Sequence, residues 1–93
     1  MAMYYSFIYK VEGLEGKYFL DHRYGKKGVA DFFNLKERRK EIEQIACVIN
    51  SDDHFNELED IVLRATKGEI NEEQLRKMIK FIQNKIEPLN PKK

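Results

Sequence analysis

Cysteine is almost absent from this sequence: Cys47 is the one copy in 93 residues, so no disulfide framework can form within the chain. Tryptophan is missing, and the two prolines sit close to the C-terminal end. Net charge is also scarce. Seventeen basic residues oppose sixteen acidic ones for a formal +1, whereas a dedicated nucleic-acid binder carries a larger positive excess. No apolar run approaches the roughly 20 residues that span a bilayer, so no membrane role is expected. Lys10, Glu12 and Glu15 interrupt the first apolar stretch before it can serve as a leader, which makes a cytoplasmic location the expectation. Five tyrosines, six phenylalanines and regularly spaced aliphatics argue against disorder. The length suits one domain with a modest core, expected over residues 1–87, with 88–93 as a frayed tail.

Local patterns predict an α+β fold. Met3 to Val11 alternates as a strand does, with Tyr5, Phe7, Tyr9 and Val11 on one parity and Tyr4, Ser6, Ile8 and Lys10 on the other. The first row reads as the core face and the second as a mixed outer face. Gly13 and Gly16 suit a hairpin loop, and Lys17 to His22 a second strand. Arg23 to Gly28 reads as a basic turn, followed by a short helix or turn carrying Val29, Phe32 and Phe33. Leu35, Ile42, Ile45, Ala46 and Ile49 fit the stripe of a further helix, with a buried strand over 46–49 as the alternative. Ser51, Asp52 and Asp53 suit the start of a helix that buries Phe55, Leu58, Ile61, Val62 and Ala65 and stops at Gly68. Asn71 and Gln74 form an approximate capping box for a last helix with Leu75, Met78, Ile79, Ile82 and Ile86 on one face. The expectation is an N-terminal β-hairpin packed on three main helical segments, the last two forming an antiparallel helical hairpin.

Catalytic chemistry finds little support. His22 and His54 have no metal-ligand spacing with Cys47 or with each other. Cys47 lies among Ala46, Val48 and Ile49, and apolar surroundings make a thiol inert. The acidic residues from Asp52 to Asp60 lack the alternating donors of a calcium loop. Gly25-Lys26-Lys27-Gly28 has a phosphate-friendly composition but no phosphate-loop motif, and reads first as a polar turn. No metal, cofactor or catalytic residue is expected, and the chain reads as a non-enzyme.

Two kinds of binding remain. The favoured expectation is a small protein-binding module or inhibitor that uses an aromatic hairpin and a basic helical surface, with Tyr4, Ile8, Phe19, Arg23, Arg38 and Arg39 as contacts. Its partner is another protein, and a homodimer through strand pairing or the last helix belongs to the same reading. The alternative is a nucleic-acid-associated accessory protein using Arg23, Lys26, Lys27, Lys36, Arg38, Arg39 and Lys40. That alternative requires the two basic groups to fold onto one face, and Glu37, Glu41 and Glu43 interleave with the second of them.

Overall fold

Alternating side chains over Met3–Val11 form a nine-residue strand, β1, in a computed structural model that describes residues 3–51 and 54–86. A loop in which Gly13 and Gly16 both take positive φ turns the chain back into β2, Phe19–Arg23. Helix α1, Gly25–Arg38, follows, then β3, Ile42–Ser51, and the helices α2, Phe55–Thr66, and α3, Glu72–Ile86. The strands form an antiparallel sheet in the order β2-β1-β3. The fold is α+β, with an N-terminal hairpin and three helices among the described residues, and α2 and α3 pack as a helical hairpin.

The segment 42–51 corrects the expected second helix: it is the third strand of the sheet. A bulge explains why its apolar spacing imitates a helix. Ile8 pairs with Ala46 but Tyr9 pairs with Gln44, so Ile45 is an extra residue in β3. Ile45 and Val48 are both buried in the same core three positions apart, which is helical spacing produced by a face reset in a strand. The abundance of β-branched residues fits the strand. Helix α1 is correspondingly longer than expected. It takes in the presumed basic turn at Gly25–Gly28 and runs on to Arg38.

Helices pack on both faces of the sheet, and the expected burial of β1 holds only in part: Phe7 is buried as expected, but the mixed row is buried too. Tyr4, Ser6 and Ile8, the mixed row, lie under α2 and α3 and are 3%, 0% and 0% exposed. Ser6 is tolerated there because its hydroxyl bonds His22 Nδ1 at 2.8 Å. Leu58, Ile61, Leu75 and Ile79 complete this core from the helices. On the opposite face Phe7 stacks on Phe32 of α1, with ring centroids 4.0 Å apart and planes 11° from parallel.

Local signals hold the helical hairpin as the sequence suggests. Gly68, at φ 83°, closes α2 while its N–H donates to the Ala65 carbonyl. Asn71 Oδ1 accepts from the Gln74 N–H at 2.8 Å, and Gln74 Oε1 accepts from the Asn71 N–H at 2.9 Å. That reciprocal box satisfies two amide donors at the start of α3. Ser51 is not a helix cap: it ends β3, and His54 stands before α2. The expected first-turn residues Asp52 and Asp53, and the tail 88–93, lie outside the described residues.

Candidate functional site

Coverage of the two sheet faces is unequal. Three strands about 4.8 Å apart need roughly two helices of about 10 Å diameter to cover one face. The face carrying Ile8 and Val48 has α2 and α3. The other face has α1, which packs on β1 and β2. Beyond it the β3 row on that face (Ile42, Gln44, Cys47 and Ile49) stays only half-buried.

Between α1 and Tyr5 of β1 lies a cleft of about 500 Å³, lined by Tyr5, Gly25, Lys26, Val29, Ala30 and Phe33. Phe32 and Phe33 are adjacent on one helix, about 100° apart around its axis, so they cannot both enter the core. Phe32 is fully buried, whereas Phe33 is 44% exposed and touches Phe7 edge-on at 5.7 Å. Tyr5, paired with Ile49 across the strands, is 36% exposed. Lys36 Nζ stands 5.9 Å from the Phe33 ring centroid. These aromatics were legible as residues but not as a surface. Adjacent phenylalanines on one helix were the available signal.

The expected contact residues scatter. Tyr4 and Ile8 are core residues, because two helices cover the row expected to face outward. Phe19 is half-buried and stacks on Tyr9 at 5.5 Å. Arg23 donates twice to Asp21, from Nε at 3.2 Å and from Nη2 at 2.9 Å, with its guanidinium 5.9 Å from the Phe32 ring. Arg38 and Arg39 are exposed at the far end of α1.

The two basic groups lie toward opposite ends of α1. Lys26 and Arg38 belong to one helix, and twelve residues at 1.5 Å rise separate them by about 18 Å. Four of the seven cations also have carboxylates beside them: Arg23 with Asp21 at 2.9 Å, Lys27 with Asp31 at 3.5 Å, Arg39 with Glu41 at 3.7 Å and Lys40 with Glu37 at 3.2 Å. Such exposed pairs stabilise little, and each sets a carboxylate beside its cation. Strand pairing at the β3 edge is blunted as well. The edge is bulged at Ile45, whose carbonyl accepts from Arg76 Nη1 at 3.2 Å.

Burial raises the Cys47 thiol above its ordinary range, which disfavours the thiolate. Among the described residues no group of three His, Cys, Asp or Glu side chains is arranged to hold a metal ion. No described helix is long and apolar enough to cross a membrane. His22 sits between Tyr4 and Phe55, at 5.0 and 4.8 Å, and bonds the buried Ser6.

Burial lowers the His22 pKa against opposing pulls from Glu59 and Asp21. The unfolded chain therefore binds a proton at His22 before the folded one does. Stability contributed through this neutral imidazole is complete above about pH 6.5 and declines as pH falls below it toward the lower folded value. Urea midpoints measured from pH 7.5 down to 5.5 are expected to fall more steeply in the parent than in His22→Asn. Equal slopes would remove His22 from the account. No family model, curated protein or solved structure matches the chain.

Proposed function

We propose that the chain is a non-catalytic protein-binding domain whose contact surface is the flank of α1 that carries Lys26, Ala30 and Phe33 beside Tyr5. The observation carrying this reading is the half-covered sheet face, with exposed Tyr5 and Phe33 and half-buried Val29 around one apolar cleft. Exposed aromatic side chains that are already held by neighbours lose little freedom on burial, and rings of this kind anchor protein interfaces. An inhibitory role is one form of the same activity, since it requires surface complementarity and no chemistry. Nucleic-acid association is less well supported, because the cations lie at opposite ends of α1 and most are matched by carboxylates.

Capture from native extract, with and without nuclease and across a salt series, tests the reading. A protein is expected to be retained after nuclease treatment, with weak salt dependence. Phe33→Ser, checked for an unchanged fold by circular dichroism, is expected to reduce retention at least about tenfold, the loss of an interface anchor worth more than about 1.4 kcal/mol. Retention that vanishes with nuclease, or falls steeply with salt, would replace this reading by the nucleic-acid one.

A further inference from the structure

The α1 flank is complementary to itself. Lys26, Ala30, Phe33 and Glu37 follow one another at spacings of four, three and four along α1. At 3.6 residues per turn these positions fall within about 60° of one another, as one stripe beside the cleft. Two such stripes laid antiparallel about a two-fold axis place Lys26 opposite the second copy's Glu37, and Ala30 opposite the second copy's Phe33. A cation then meets an anion and a methyl group meets a ring, each contact occurring twice, as an isologous interface demands. Parallel stripes would instead set lysine on lysine and glutamate on glutamate, so the charges select the antiparallel arrangement.

Within one chain these groups are only weakly engaged. Among the described residues no carboxylate is ion-paired to Lys26. Glu37 meets Lys40 at 3.2 Å with both side chains about four-fifths exposed. The cleft lined by Tyr5, Val29 and Ala30 lies beside Phe33, where the ring of a second Phe33 would enter. We propose that a second copy of this chain occupies the flank, forming an antiparallel α1–α1 homodimer with one Phe33 in each cleft. This rests on the flank being a protein-contact surface and names the partner.

Sedimentation equilibrium of the full chain from about 1 µM to 1 mM is expected to show reversible doubling of mass. Lys26→Glu should weaken the dimer about tenfold or more, because both symmetric attractions become repulsions. Combining Lys26→Glu with Glu37→Lys should restore affinity to within about threefold of the parent, since the reversed pair is again attractive. Both positions are exposed, and unchanged circular dichroism will show that the fold is kept. A monomer at every concentration, a dimer indifferent to Lys26→Glu, or a double variant no better than either single one overturns the homodimer. Phe33-dependent capture of a different protein by such a monomer would preserve the flank as a binding surface, and its absence would overturn both.

Discussion

Phe32→Ala is expected to destabilise the protein by about 3–5 kcal/mol, the range for removing a fully buried aromatic ring from a core. Phe32 is 0% exposed, stacks on Phe7 at 4.0 Å, and meets Tyr9 at 5.7 Å and Phe33 at 6.1 Å. It is also the buried residue of α1. The helix has no side-chain N-cap and no acidic residue in its first turn, so docking by this ring carries much of its stability. Removing it leaves a cavity over Phe7 and loosens α1 as a unit. Urea unfolding should show the loss as a lowered midpoint. Phe33→Ala, next along the helix, should cost about 1 kcal/mol or less because its ring is already 44% exposed. Equal costs for the two would mean that α1 is rotated from the orientation described.

Ile8→Ala should cost about 2–5 kcal/mol, while Tyr5→Ala should cost about 1 kcal/mol or less. The contrast follows from which row of β1 lies under two helices. Ile8 is fully buried, pairs with Leu20 and Ala46 on either side, and belongs to the same core as Leu58 and Leu75. Tyr5 faces the α1 side, where coverage is incomplete. Denaturant midpoints of the two variants decide the matter. A larger loss for Tyr5→Ala would restore the reading in which its row is the principal core.

Sequence patterns carried the helical hairpin well and the sheet poorly, for identifiable reasons. In α2 and α3 the apolar stripe, the Asn71–Gln74 box and Gly68 all point to one answer, and each is realised. In β1 both parities carry large apolar residues, so alternation marks a strand without saying which face is better covered. The polar members mislead further: Ser6 is buried because His22 lies across from it, and Lys10 reaches Glu72 at 2.8 Å at the border of the covered face. In β3 a single bulged residue converts period two into helical spacing, which no local pattern separates from a helix. The open flank was illegible for a related reason. It exists because one helix covers three strands, and the third strand was the element that the spacing concealed.

The same reasoning shows why the candidate contacts divide as they do. Tyr4 and Ile8 lie on the more polar parity of β1, and coverage by two helices takes them into the core. Among the described residues Lys26, Lys36 and Arg38 have no carboxylate within ion-pairing distance, and Lys26 and Lys36 flank Phe33. The cleft is thus apolar with cations at its border, and Glu37 on the same helix is the carboxylate that the proposed second copy would bring to Lys26.

Site-specific photo-cross-linking tests the central claim most directly. A benzophenone side chain at position 33, and in separate samples at exposed Leu63 of α2 and Phe81 of α3, reports what touches each face in native extract. The account predicts a protein adduct from position 33, with a second copy of the chain among its products, and little from positions 63 or 81. Adducts confined to positions 63 or 81, or adducts to nucleic acid from position 33, would contradict it.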